Sequence, residues 1–200
     1  MPEFQFTIVE NYKKATINNE DFKGKWLILD FWETGCASCI KSFPTVNAYQ
    51  KEFKNDLNII LVGSLDNNFN TLKGTKTLYG NLQRRENLNL ISVYDSTFWN
   101  KWGIWIYPYT IIIDPLGIIK AITFSSDLTR AKIKSLLEGG SPEFVPVNRK
   151  EFDGGRIAGA LSNLIDSNIL YRSIFCKSSV NDEFTRSNID YQIIYEKEVG

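Results

Sequence analysis

Trp26-Leu27-Ile28-Leu29-Asp30-Phe31-Trp32, followed at once by Glu33-Thr34-Gly35-Cys36-Ala37-Ser38-Cys39, is the stretch on which the fold turns. The first seven residues form a short apolar run rich in strand formers, entered through the turn-like Lys23-Gly24-Lys25, and they read as a buried β-strand. After Cys36 the apolar residues Ile40, Phe43, Val46, Tyr49 (or Gln50) and Phe53 recur at near-helical spacing to about Asn55. A helix is expected there, with the CxxC in its first turn and Pro44 removing one backbone hydrogen bond and bending the axis. Leu57 to Ser64 is a second buried strand, and strand, helix, strand in this order calls for a right-handed crossover between parallel strands. The fold class is therefore α/β.

Further along, Asn67 to Glu86 reads as a polar helix weakened by Gly74 and Gly80, and Ile91 to Asp95 as a short strand. Thr97 to Trp102 reads as a short helix stopped by Gly103. Tyr109 to Asp114 and Ile118 to Phe124 form a hairpin around Asp114-Pro115-Leu116-Gly117. Thr129 to Glu138 closes the unit as an amphipathic helix capped by Thr129 or Asp127 and ended by Gly139-Gly140. A break in composition follows, so residues 1–140 are expected to form one domain and 141–200 a C-terminal extension, or the start of a second domain cut short. Within that extension, Ser162 to Ile169 reads as a helical turn, and Tyr171 to Phe175 and Tyr191 to Tyr195 as strands.

Composition narrows the chemistry. The chain of 200 residues is 43% hydrophobic and has no apolar run near the roughly 18–20 residues that span a bilayer. Lys+Arg and Asp+Glu are both 23, which leaves no global basic field for nucleic acid. There is no histidine, so histidine-dependent triads and HExxH zinc chemistry are excluded. The three cysteines are Cys36, Cys39 and the distant Cys176, which reads as a small buried hydrophobe rather than a third catalytic thiol. The amino end Met-Pro-Glu-Phe has neither a basic nor an apolar leader region, consistent with a cytosolic chain or with one that starts after a removed signal.

A cysteine in the first turn of a helix faces unpaired backbone N–H groups and the positive end of the helix dipole, so its thiolate is favoured. Cys36 is thus the expected nucleophile and Cys39 the resolving thiol of a disulfide-exchange pair. Two inert core cysteines and half of a zinc site are the competing readings; the zinc reading lacks the other ligands.

The run Asp30 to Cys39 with Pro44 resembles the active-site strand and helix of the thioredoxin superfamily. Phe22-Lys23-Gly24-Lys25-Trp26 and the stretch Trp102-Gly103-Ile104-Trp105-Ile106-Tyr107-Pro108-Tyr109 through Asp114, with Gly117, extend the likeness to the exported TlpA/ResA-like thiol-disulfide oxidoreductases over roughly residues 3–138. That resemblance implies a thioredoxin-like fold, a central mixed sheet flanked by helices. It also implies that Pro108 is a cis-proline whose preceding residue, Tyr107, lies against the disulfide and pairs with an extended peptide. Asp30 falls where the family has a buried acid that relays a proton to or from Cys39 through water; an Asp turned to solvent is the plain alternative. Glu33 reads as a solvated charge or as a group acting on the first thiol.

Departures from the family pattern lie at Gly35, where many members carry a tryptophan over the site, at Ala37-Ser38, which lacks proline, and at the bulky Tyr107. Gly35, Trp105 and Tyr107 are accordingly the expected substrate-contact residues. The aromatic cluster Trp99, Trp102, Trp105, Tyr107 and Tyr109 is either groove or core. By resemblance the protein exchanges disulfides with protein thiol substrates, as a reductant fed by an upstream electron donor. The redox-active disulfide needs no cofactor and no metal. The same resemblance puts the full-length protein in the cell envelope or periplasm, held to the membrane only by a tether outside this sequence. A partner-binding module without enzymatic activity and a thiol peroxidase are the alternatives, the latter weakened because Thr34-x-Cys36 stands in place of a TxxC.

Overall fold

In a computed structural model of the chain the described residues are 3–66, 69–98, 102–104 and 106–147, together with the backbone of two strands in 173–194. The chain divides into two compact units, 1–147 and 148–200.

The first unit is built on a six-stranded mixed sheet. Its middle strand is β4 (Trp26–Trp32), hydrogen-bonded in parallel to β5 (Leu57–Ser64) and antiparallel to β7 (Tyr109–Ile113). β6 (Ile91–Asp95) pairs in parallel with β5, and the two-residue β2 (Val9–Glu10) closes that edge antiparallel to β6. At the other edge β8 (Ile119–Thr123) pairs antiparallel with β7. This edge is partly covered, since Val147 N–H donates to the Ile122 carbonyl and Thr123 Oγ1 to the Val145 carbonyl. Two further short strands, β1 (Gln5–Phe6) and β3 (Ile17–Asn18), pair antiparallel outside this sheet. They are too short to show a period-2 pattern in sequence.

Alternation along β4 sorts its side chains to two apolar layers. Ile28 and Trp32 join Ile59, Leu61 and Ile112 in a core shared with α1 (Ala37–Glu52), α2 (Leu72–Glu86) and α3 (Arg130–Leu137), through Phe43, Val46, Tyr79, Leu82, Ile133 and Leu136. Leu27, Leu29 and Phe31 join Ile60, Val62, Ile111 and Ile113 in the second core, covered by Phe4, Phe6, Ile17 and Phe22 from the amino-terminal segment and by Phe98, Trp102 and Ile104. With both faces buried, the central strands read as continuous apolar runs rather than alternating ones. Each buried side chain of this size contributes roughly 1.5–3 kcal/mol, so the middle of the sheet is the rigid platform of the molecule.

The helix ends follow side-chain chemistry. α2 begins at Leu72, not at Asn67 as its sequence pattern suggests. The Asp66 carboxylate accepts the N–H groups of Phe69 (2.6 Å) and Asn70 (3.2 Å), holding a turn, and Thr71 Oγ1 then caps the helix by accepting from Gly74 N–H (3.2 Å). α3 is capped by Thr129, whose hydroxyl accepts Lys132 N–H at 3.2 Å, and Gly139 follows it at φ 83°. In the hairpin, Asp114 accepts from Leu116 and Ile118 N–H groups (3.0 and 2.8 Å), while Gly117 takes φ 82°. Of the helix expected at 97–102, residues 99–101 lie outside the described residues.

In the second unit, β9 (Ser173–Ser178) and β10 (Ile189–Ile194) pair antiparallel, with Cys176 opposite Tyr191. The helical turn expected at 162–169 lies outside the described residues. No helix among the described residues is long and apolar enough to cross a membrane.

Candidate active site

β4 ends at Trp32, and within four residues the chain turns into α1. Cys36 N–H donates to the Glu33 carbonyl at 3.1 Å, which closes a tight turn over Thr34 and Gly35. Cys36 is the N-cap of α1. Its Sγ occupies the place usually taken by a serine or aspartate oxygen and accepts Cys39 N–H at 3.2 Å. Cys36 and Cys39 are joined in a disulfide with a Cα–Cα separation of 5.3 Å. The two sulfurs differ in access: Cys36 retains 8% exposure between the exposed Gly35, Ala37 and Ser38, whereas Cys39 is 1% exposed within the helix-side core. Pro44 lies inside α1, one turn beyond Cys39.

Asp30 shares the β4 face of Ile28 and Trp32, which belong to the same core as Cys36 and Cys39, and is 1% exposed. Its Oδ1 accepts the hydroxyls of Thr110 (2.9 Å) and Ser125 (3.1 Å), while Oδ2 is buried without a hydrogen-bond partner. Burial lifts its carboxyl from the ordinary 3.8 to about 6, against the opposing effect of the two hydroxyls. A solvent-turned Asp30 is therefore not what the fold provides.

On the β7 side the Tyr107–Pro108 peptide is cis. Tyr107 is half-buried, and desolvation first of all raises its phenol to about 12; a hydrogen bond with Ser64 works the other way, and the carboxylates of Glu33 and Asp66 push it up further. Ser64, Glu33, Asp66 and Tyr107 thus meet at the same end of the sheet. Trp102 and Tyr109 are core residues, each with its ring centroid 6.1 Å from that of Phe31. Trp99 and Trp105 lie outside the described residues. Gly35 does not hold a backbone shape that requires glycine, and a Cβ there would meet only Glu33 Oε1, at 3.9 Å.

One residue near the site has no counterpart in the motif reading. Asn70 is 4% exposed and spends its whole amide on this turn. Its Oδ1 accepts the Thr34 N–H (3.0 Å) and Thr34 Oγ1 (2.6 Å), and its Nδ2 donates to Asp66 Oδ2 (2.6 Å) and Glu33 Oε2 (3.4 Å). The signal available in sequence was the polar Asp66-to-Thr71 segment after a buried strand, a composition that favours side-chain-held turns. Next to Asn70 stands Phe69, 87% exposed.

The exposed residues beside the disulfide are Gly35, Ala37 and Ser38. A cleft of about 620 Å³ is lined by Phe4, Phe22, Leu27, Ile113, Pro115 and Leu116 at the opposite end of β4. A sulfur that keeps some exposure among exposed neighbours, backed by a fully buried one, can exchange disulfides with a macromolecule.

Comparison with known proteins agrees with this geometry. A match to the AhpC/TSA family covers residues 1–122. The chain is 25% identical to the thioredoxin-like protein YneN of Bacillus subtilis over 138 residues, which is 68% of this chain and 76% of that protein. It is 27% identical to the thiol-disulfide oxidoreductase ResA of the same organism over 120 residues, 58% of this chain and 63% of ResA. In fold it is similar to the exposed lipoprotein thioredoxin of Streptococcus pneumoniae, with a TM-score of 0.57 at 23% identity over 69% of this chain and 99% of that one.

Proposed function

The chain belongs to the AhpC/TSA family, and on that footing we propose that it is a thiol-disulfide oxidoreductase that reduces disulfides in protein substrates. The observation that carries this reading is the asymmetry of the disulfide: Cys36 at the rim on a helix N-terminus, Cys39 enclosed one turn inward. In the reduced protein the Cys36 thiolate attacks one sulfur of a substrate disulfide. A mixed disulfide forms and the other substrate sulfur leaves as a thiolate. Cys39 then loses its proton to Asp30 through an intervening water and attacks Cys36 Sγ. The mixed disulfide breaks, the second substrate thiol leaves, and the Cys36–Cys39 disulfide remains. A carboxyl lifted to about 6 suits that proton acceptance near neutral pH.

Pro108 and the Tyr107 backbone hold an extended substrate segment beside Cys36, and Gly35 and Trp105 complete the contact. The two electrons reside in the sulfurs, so no organic cofactor or metal is required. An upstream dithiol donor restores the reduced state. The reducing direction and a cell-envelope location rest on the resemblance to TlpA/ResA-like proteins, together with the description of a structural relative as an exposed lipoprotein.

A peroxidase would need a free threonine hydroxyl and an arginine at the thiolate. Here the Thr34 hydroxyl is given to Asn70, and the described arginines pair elsewhere, Arg84 with Asn81, Arg85 with Glu86 and Arg130 with Glu52.

The test is differential alkylation across thiol redox buffers, with Cys39→Ser as a trap. A reversible couple near about −270 mV, with Cys39→Ser accumulating a mixed disulfide on Cys36, is expected of a reductant. A couple near about −120 to −180 mV would make the protein an oxidant or isomerase, and absence of any couple would leave a binding module.

A further inference from the structure

Around Cys36 two electrostatic influences compete. The helix N-terminus favours the thiolate: Cys36 Sγ accepts Cys39 N–H at 3.2 Å, and the first turn of α1 carries no acidic residue. Opposing it is the Glu33 side chain, which folds back over the turn so that its Oε1 lies 3.9 Å from where a Cβ on Gly35 would stand. Glu33 is held in that position from across the site. The Asn70 amide donates to Glu33 Oε2 while its oxygen grips both the N–H and the hydroxyl of Thr34, the next residue. Asn70 is in turn fixed by Asp66 through Nδ2 and through Asp66 N–H to the Asn70 carbonyl at 3.1 Å. A buried amide with all its capacity committed to one turn is a specific arrangement, since a surface carboxylate left to itself extends into water.

We propose that Asn70 is a positioning residue of the redox site: by clamping Glu33 and Thr34 together it keeps the Glu33 carboxylate over the Gly35–Cys36 turn, where its charge disfavours the Cys36 thiolate and makes the couple more reducing. This rests on the disulfide-exchange reading of Cys36 and Cys39. The couple is Cys36–Cys39 disulfide plus two electrons and one proton giving the Cys36 thiolate and the Cys39 thiol, with the electrons supplied by a dithiol donor that is itself oxidised to a disulfide. A negative charge beside Cys36 raises the free energy of the thiolate-bearing reduced form and leaves the neutral disulfide untouched, so equilibrium shifts toward disulfide. The other titratable groups of this end of the sheet are Asp66 from the loop after β5 and Tyr107 from the loop before β7, with Asp30 on β4 and Cys39 on α1. Among these it is Glu33 whose side chain folds onto Gly35, the residue before Cys36.

The experiment measures two quantities in the folded full chain: the Cys36 thiol pKa, from the pH dependence of alkylation, and the equilibrium constant of the couple against a dithiothreitol or glutathione buffer. The proteins are wild type, Glu33→Gln, Asn70→Ala and the double variant, with thermal melting as the control for folding. Glu33→Gln keeps the shape and removes the charge. It is expected to lower the thiol pKa and to shift the equilibrium toward dithiol by about three- to fivefold, the size of one partly screened charge at such range. Asn70→Ala is expected to move both quantities the same way by a smaller factor, and to add nothing in the Glu33→Gln background. Asn70→Ser, which keeps a polar group in the buried site, replaces it if Asn70→Ala does not fold. The proposal is overturned if Glu33→Gln changes neither quantity by twofold, or if the Asn70 variant acts in full without Glu33. A reversible wild-type couple that is blind to these substitutions defeats this inference alone, whereas no wild-type couple defeats the disulfide-exchange reading as well.

Discussion

Replacing Asp30 with asparagine gives the sharpest test of the buried acid, because the effect has a calculable pH dependence. Burial raises the Asp30 carboxyl from 3.8 to about 6 in the folded protein. A group whose folded pKa lies above its unfolded value stabilises the fold relative to the charged state below the unfolded pKa, and that contribution is lost as pH rises through the folded pKa. Wild-type stability attributable to Asp30 is therefore full below about pH 4, declines between about pH 4 and 6, and is gone above about pH 7. A shift of roughly two units corresponds to about 3 kcal/mol. Asparagine cannot ionise, so it escapes this loss. It still accepts the Thr110 and Ser125 hydroxyls, but its amide nitrogen enters the site of Oδ2, which has no partner, at a cost of about 1–3 kcal/mol that does not vary with pH. The informative quantity is thus the change in the wild-type to variant difference across pH, in which the constant cost cancels along with every other carboxylate. Urea denaturation of the disulfide-intact proteins from pH 4 to 8 should show Asp30→Asn gaining about 3 kcal/mol on wild type over that range. A difference that stays level within about 0.5 kcal/mol would mean that Asp30 ionises as freely as in water, and its role as a proton acceptor tuned by burial would be withdrawn.

Two further substitutions probe the surroundings. Phe69→Ala removes an aromatic ring that is 87% exposed beside the Asn70 clamp. If that ring is a wall of the substrate surface, KM for a protein disulfide should rise about three- to tenfold while the melting temperature holds, and steady-state kinetics with an unchanged KM would remove Phe69 from the surface. Gly63→Ala places a Cβ 2.9 Å from Tyr94 Cδ1 and 3.3 Å from Thr75 Cγ2, between β5 and its covering side chains. Both neighbours are enclosed, so a loss of about 1–3 kcal/mol is expected, read as a melting temperature lowered by roughly 4–10 °C; an unshifted melt would show that the Tyr94 ring can give way.

Much of this architecture was legible in sequence, for a physical reason. Strands β4, β5 and β6 carry apolar side chains on both faces, so their runs stand out and end where polar or glycine residues intervene. Asp114-Pro115-Leu116-Gly117 announced the hairpin because its chemistry is local, and Cys36-x-x-Cys39 announced the site for the same reason. What escaped depends on contacts made at a distance. The two-residue strands β1, β2 and β3 exist only through their partners. The start of α2 was misplaced by five residues because Asp66 diverts two backbone N–H groups that a helix would otherwise use. Asn70 escaped because its partner Thr34 lies 36 residues earlier, and asparagine in a polar loop ordinarily signals nothing beyond a turn.

The same placement explains how the cysteine pair can lie close to the surface and still be well defined. The C-terminal end of β4 is paired on both sides, with Phe31 in register opposite Val62 of β5 and Tyr109 of β7, so the platform beneath the turn cannot shift without breaking the sheet. Above it Gly35, Ala37 and Ser38 are small and exposed, and Cys36 between them keeps 8% exposure against 1% for Cys39. A turn made of such residues would wander if it were held only by its own chain, yet disulfide exchange requires the attacking and leaving sulfurs to be brought into line. The Glu33–Cys36 turn is instead fixed from the loop that follows β5. Asn70 binds it through Thr34 and Glu33, while Tyr107, next to the cis-proline, is bonded to Ser64 at the end of β5. Substitutions in Asn70 or Tyr107 should therefore act on rate and potential more than on stability, whereas substitutions in β4 act on stability first.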